Sequence, residues 1–163
     1  MTSKVDKAPP KAARVSHRRE GATRGLIILP EPLRKILDRR KTWEIRSSAT
    51  RIRGPIALIE SGSGTVVGTC DLVDSVGPLT REQCRENARR AGGFTPDAGS
   101  YAWVLQGARR LRTPVPYRHP RGAIIWVRLS PAVTRKLVGF SRHVRDGVTG
   151  DAHQEPITQG LRP

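Results

Sequence analysis

The sequence has few cysteines, few aromatic residues, few acidic residues and no long apolar run. Its only cysteines, Cys70 and Cys84, lack the CxxC or Cys/His spacing of a zinc site, so we expect buried structural thiols and neither metal nor other cofactor. The longest apolar runs, such as residues 123–127, are far too short to span a bilayer. The sequence therefore predicts no membrane-spanning segment and no membrane partner. Without an apolar signal segment near Met1, the predicted location is cytoplasmic.

Basic residues are abundant. Lys and Arg number 30 against 14 Asp and Glu, which gives a net charge of +16 and an isoelectric point near 11.5. The excess is not confined to the ends, because residues 26–130 alone hold 18 basic and 9 acidic groups. A surface of this kind attracts polyanions, so nucleic acid is the first partner to consider.

The chain length, 163 residues, suits one hydrophobic core with flanking tails. Residues 1–24 are rich in Lys, Arg, Ala and Pro and lack apolar periodicity, which predicts a disordered basic arm. Residues 25–130 form the expected folded domain. Residues 131–163 are predicted to be an amphipathic helix, with Val133, Leu137, Phe140 and Val144 on one stripe, followed by a disordered tail.

Apolar periodicity within the domain predicts mostly strands. A helix from about Pro32 carries Leu33, Ile36 and Leu37 at helical spacing, and Thr80 with Gln83 marks the start of a second helix that runs to about Arg90. Strands are predicted at residues 26–29, 42–46, 56–60, 65–76, 101–105, 115–117 and 123–129. An α+β fold, a small mixed β-barrel of about six strands with helices at its rim, accommodates this order.

The densest group of chemically useful side chains lies in residues 39–47. In the strand 42–46, alternation places Trp43 and Ile45 on one side and Glu44 and Arg46 on the other. Arg and Lys can hold a phosphodiester while an aromatic ring stacks on a base, so this segment suits RNA. The opposing interpretation is a half-exposed strand with an ordinary Glu44–Arg46 ion pair.

This segment resembles the signature of the ASCH domain, a family related to the PUA fold, in which a helix ends in a basic run followed by Lys, then Glu and Arg. Further similarities follow in the family's order at residues 53–58, 64–74 and 101–105. The resemblance implies a PUA-like barrel with an RNA-binding cleft beside the first helix. The residues expected to bind RNA are Arg39, Arg40, Lys41, Trp43, Arg46, Arg53 and Tyr101.

Some members of this family are ribonucleases on single-stranded RNA, and others are amidohydrolases that act on acylated cytidine. By resemblance, the candidate catalytic residues are Lys41, Glu44, Asp71 and Tyr101. For a metal-independent ribonuclease, Lys41 or Arg46 would stabilise the phosphorane and Glu44 or Tyr101 would transfer the proton. The amidohydrolases use Lys, a hydroxyl residue three positions later and a carboxylate, and in this sequence Glu44 stands at the hydroxyl position.

Three functions therefore follow from the sequence. The first is an RNA-binding module for single-stranded or structured RNA with a possible modified base. The second is an enzyme, a ribonuclease before an amidohydrolase. The third is a platform whose C-terminal helix docks a protein partner.

Overall fold

Alternating and helically spaced apolar residues produce six strands and three helices in a computed structural model, which describes residues 21–143, with side chains described to residue 138. In chain order the elements are β1 (Arg24–Ile28), α1 (Pro30–Leu37), β2 (Trp43–Arg46), β3 (Gly54–Glu60), β4 (Thr65–Val76), α2 (Arg81–Glu86), β5 (Tyr101–Pro116), β6 (Trp126–Arg128) and α3 (Pro131–His143).

The strands form one sheet in the order β2-β5-β4-β3-β1-β6. Every neighbouring pair is antiparallel except β1 and β3, which are parallel and are joined through α1 and β2. The sheet curls into a half-barrel, which confirms the predicted PUA-like α+β fold.

The two faces of the sheet bury different side chains. On the inner face, alternate strand residues such as Leu26, Leu58 and Leu105 pack together with Leu33 and Ile36 of α1. On the outer face, the intervening residues of the same strands pack against α3. The curl is toward the inner face, because Trp103 of β5 and Trp126 of β6 meet there although three strands separate β5 from β6.

Strand β5 differs from the sequence-based prediction. Residues 101–105 and 115–117 were expected as two strands, whereas the structure has a single strand of 16 residues. Gly107 has a φ of +62° and lies where the register with β4 shifts, between Thr69 and Asp71. The glycine therefore forms a β-bulge that bends the strand without ending it.

Other boundaries also move. Helix α1 begins at Pro30, whose fixed φ suits the first helical position, two residues before the expected Pro32. Helix α2 ends at Glu86, short of Arg90, and the strand expected at 123–129 is reduced to β6. The capping box of Thr80 and Gln83 is present as predicted.

The ends of the domain pack on each other. Ala22 is buried, and the Thr134 hydroxyl donates a hydrogen bond to its carbonyl oxygen at 3.2 Å, so packed structure starts before the boundary expected at Gly25. Val133 and Leu137 of α3 are buried in the outer-face core, so this part of the predicted stripe is covered by the domain itself and cannot dock a partner. The Phe140 side chain, Val144, and residues 1–20 and 144–163 lie outside the described part.

Within residues 21–143 no helix has both the length and the apolar character needed to cross a membrane.

The two thiols provide a test of the packing. Cys70 and Cys84 are both free and buried, and burial raises the pKa of the Cys70 thiol. We expect both to react with a thiol reagent at pH 8 on the order of 100-fold or more slower in the native protein than in guanidinium, because reaction requires local opening. A native thiol that reacts as fast as free cysteine would show that the core differs from the one described.

Candidate nucleic-acid interface

The two ends of the half-barrel sheet, β2 with β5 and β6 with β1, approach each other across the inner face, and we call the region between them the seam. Two contacts define it. The rings of Trp103 and Trp126 stack with centroids 5.5 Å apart and planes 15° apart. The Arg46 Nη2 atom donates a hydrogen bond to the Ile27 carbonyl oxygen at 2.8 Å, which ties β2 to β1.

A buried chain of three charges lies along one wall of the seam. The alternation of β2 directs Glu44 and Arg46 to the inner face, and the turn after α1 places Lys41 beside them. One carboxylate oxygen of Glu44 lies 3.4 Å from Lys41 Nζ, and the other lies 3.1 Å from Arg46 Nη2. Lys41 and Glu44 are only 4% and 7% exposed, so Glu44 is shared by two cations in a site poor in solvent.

Lys41 has further partners. Its ammonium donates to the carbonyl oxygens of Trp43 at 2.7 Å and of Ala91 at 3.1 Å. Burial lowers the pKa of Lys41, and the neighbouring Glu44 opposes that shift. Each of the three ammonium hydrogens thus has an acceptor, so Lys41 joins the start of β2 to the segment after α2.

Unlike Lys41, Arg46 has a hydrogen-bond donor that lacks an acceptor among the described residues. Its guanidinium carbon lies 5.6 Å from the centroid of the Trp103 ring, within the range of a cation–π contact. Its Nε atom is buried and is the one buried side-chain polar atom without a hydrogen-bond partner in the described part of the chain. A buried donor without an acceptor is unusual in a native protein and marks a position that an acceptor could satisfy.

Trp43 is not part of the seam, although it was expected to bind RNA. It is 5% exposed and packs with Leu79, Cys84 and Ala102 on the opposite side of β2. The reason is the same alternation that directs Glu44 inward. Trp43 is a core residue with no face available to a base.

Asp71 is also separated from Lys41. It stands in β4 between Cys70 and Leu72, which are both buried in the inner-face core. Its side chain is therefore directed to the outer face, where it is exposed, and the structure does not bring this candidate catalytic carboxylate together with Lys41.

The remaining predicted residues are distributed around the domain. Tyr101 lies partly buried on the inner face, directly opposite Arg46 in the ladder. Arg40 and Arg53 are exposed and form ion pairs with Asp38 and Asp74 at 3.2 and 3.1 Å. Arg39 is exposed and adopts a φ of +60° in the turn after α1.

Two aromatic residues of the seam were missed by the sequence-based predictions. Trp126 lies on the short β6, and Phe94 is 49% exposed, with its ring centroid 5.5 Å from Lys41 Nζ. A tryptophan in alternation with the buried Val127 was a usable signal for an inward-facing ring. Nothing near Phe94 in the sequence could have indicated that its ring lies beside Lys41.

Across residues 21–143 no group of three or more His, Cys, Asp or Glu side chains is arranged to hold a metal ion.

The curled six-stranded half-barrel with its helices has the α+β fold of the PUA-like class. The family model for the ASCH domain matches residues 26–114, and the chain therefore belongs to the ASCH domain family. ASCH domains are generally associated with RNA binding.

Solved structures agree on the fold. The chain is similar to ASCH from Zymomonas mobilis, with 18% identity, a TM-score of 0.54, and coverage of 71% of this chain and 93% of that one. A tyrosine-to-phenylalanine variant of the same protein gives 18% identity, a TM-score of 0.50, and coverage of 71% and 96%. No curated protein matches the sequence.

The buried ion chain leads to a stability prediction. Lys41→Met removes one member of a buried pair and leaves Glu44 and two carbonyl oxygens short of a donor, so the free energy of unfolding should fall by about 3–5 kcal/mol. Urea unfolding monitored by circular dichroism would measure it.

Lys35→Met is the matched control. The Lys35 ammonium binds the neighbouring Gly92 carbonyl at 3.0 Å and Glu31 at 2.8 Å, but its side chain is 33% exposed. Loss of a partly exposed pair should cost no more than about 1 kcal/mol. Equal losses of unfolding free energy in the two variants would contradict the role of Lys41 as a buried link between β2 and the segment after α2.

Proposed function

We propose that this protein binds RNA at the seam, with a base against the half-buried Trp126 ring, which stacks on the buried Trp103, and with the adjoining phosphate attracted by Arg46. The observation that carries the proposal is the combination of stacked rings with a guanidinium over one of them. Aromatic platforms beside cations are the usual means of holding single-stranded nucleic acid, because every base has a face that can stack. Structured RNA with an unpaired or modified base also presents a base face that can stack.

The electrostatics of the seam support this choice of ligand. Lys41, Glu44 and Arg46 together carry one excess positive charge, and the domain around them is itself basic. The buried Arg46 Nε donor lacks an acceptor in the described part of the chain, and an oxygen of a bound nucleotide would supply one. An anion with an aromatic group therefore fits the seam better than a neutral or cationic ligand.

Neither enzymatic alternative gains a specific observation. The amidohydrolase mechanism implied by the resemblance needs a carboxylate near Lys41 other than Glu44, and Asp71 is on the outer face. In a ribonuclease mechanism Lys41 and Glu44 would have to act, but they are engaged with each other and with their neighbours. Tyr101, the other proton-transfer candidate, lies opposite Arg46, but within residues 21–143 its hydroxyl has no hydrogen-bond partner that could accept its proton. Binding without cleavage is therefore the expected behaviour.

Trp126→Leu tests the stacking platform. Loss of one stacked base costs about 1–3 kcal/mol, so affinity for a labelled single-stranded RNA should fall about 5- to 150-fold. Fluorescence anisotropy at fixed salt measures the dissociation constant, and circular dichroism checks that the variant is folded.

Tyr117→Leu is the control for that variant. Tyr117 is also a partly buried aromatic residue, but it packs against the outer-face core. Its substitution should leave RNA affinity within about twofold of the wild type, because it does not reach the seam. Equal affinity losses in the two variants, or none in either, would reject the seam as the binding site.

The same samples, analysed on a denaturing gel after incubation with EDTA, decide between binding and catalysis. Intact RNA is the expected result. Cleavage by the wild type that is lost in Lys41→Met, measured where that variant is folded, would instead support a metal-independent ribonuclease.

A further inference from the structure

Two arginines face each other directly at the edge of the sheet. Arg24 of β1 and Arg128 of β6 are register partners, and both are exposed. The flanking hydrogen bonds, from Ile27 N to the Ile125 oxygen and from Leu129 N to the Thr23 oxygen, identify Arg24 and Arg128 as a non-hydrogen-bonded pair. In such pairs the Cα atoms are about 4.5 Å apart and the side chains are closest.

This arrangement does not favour stability. Like charges directly opposite each other in an antiparallel ladder repel. Neither guanidinium takes part in an ion pair within residues 21–143, where acidic residues do pair with Arg40, Arg46, Arg53 and Arg110. An anion between the two guanidiniums would convert the repulsion into attraction.

The pair also lies close to the aromatic platform. Arg24 and Leu26 share one face of β1, and Arg128 and Trp126 share the same face of β6, because each couple is two residues apart. Leu26 and Trp126 belong to the inner-face core, so the two arginines extend that face beyond the Trp126 ring. One step of two residues is about 7 Å along a strand, a distance that a single nucleotide can cover between its base and a phosphate.

We propose that Arg24 and Arg128 form a phosphate clamp for the RNA strand whose base stacks at Trp126. Each guanidinium can donate two parallel hydrogen bonds to phosphate oxygens, so a pair on adjacent strands can hold one phosphodiester from two sides. This inference rests on the proposed function and adds to it a direction, since the strand would run from the seam toward the β1 start.

The test compares two double variants with the same change in charge. Arg24→Gln/Arg128→Gln removes the clamp. Arg81→Gln/Arg85→Gln removes two exposed arginines one turn apart on α2, which have no ion-pair partner in the described structure. RNA affinity is measured at several salt concentrations, and thermal unfolding is measured for both proteins.

The clamp predicts a specific pattern. In Arg24→Gln/Arg128→Gln the plot of log affinity against log salt should become shallower by about 0.7, since the clamp holds one phosphate and each neutralised phosphate contributes about 0.7 for a single strand. The change in Arg81→Gln/Arg85→Gln should be less than half of that. The melting temperature of the clamp variant should stay equal to that of the wild type or rise, because a repulsive pair has been removed.

A second measurement keeps the clamp distinct from the proposed function. Pyrophosphate is titrated into the wild-type protein, and the Arg Nε–Hε signals, assigned with the single variants Arg24→Gln and Arg128→Gln, are followed by NMR. Saturable shifts of these two signals, above those of Arg81 and Arg85, support the clamp even if RNA does not bind. If these signals move no more than the α2 signals and the two double variants lose RNA affinity equally, the clamp is rejected while RNA binding at the seam stands.

Discussion

The Glu44 carboxylate, held between Lys41 and Arg46, is the interaction on which the inner side of the domain depends. Through Lys41 it fixes the segment after α2 at Ala91, and through Arg46 it fixes β1 at Ile27. A buried carboxylate with one cation on each oxygen has few alternative arrangements, because every alternative leaves a charge without a partner. The Arg46 guanidinium that the carboxylate holds also contacts β1 and the Trp103 ring, so Glu44 is linked to both ends of the curled sheet.

Much of the fold could be predicted because local periodicity decides it. The alternation in β2 separates Glu44 and Arg46 from Trp43, and the spacing of Leu33, Ile36 and Leu37 in α1 determines which side of that helix meets the sheet. The continuity of β5 could not be predicted, because a glycine such as Gly107 can end a strand or form a bulge, and the long ladder with β4 decides which.

The candidate site was less predictable than the fold. The alternation in β2 was sufficient to place Trp43 on the face opposite Glu44 and Arg46, and so away from an RNA surface formed by those two residues. The alternation in β4 was sufficient to separate Asp71 from Lys41, because the apolar neighbours Cys70 and Leu72 face inward. The seam itself depends on contacts between residues far apart in the chain, such as Trp103 with Trp126 and Lys41 with Phe94. No local pattern specifies which distant side chains meet across a curled sheet.

The pairing of β1 with β6 has a consequence for how the chain acquires its structure. These strands are neighbours in the sheet but are the first and last strands in the sequence. The ribosome must therefore release almost the whole domain before Leu26 can meet Trp126. Until then β1 can pair with β3 alone, and its other edge is open to strands of neighbouring nascent chains. The arginine at the start of β1 carries a charge on that open edge, and charged residues on exposed strand edges discourage such pairing during synthesis.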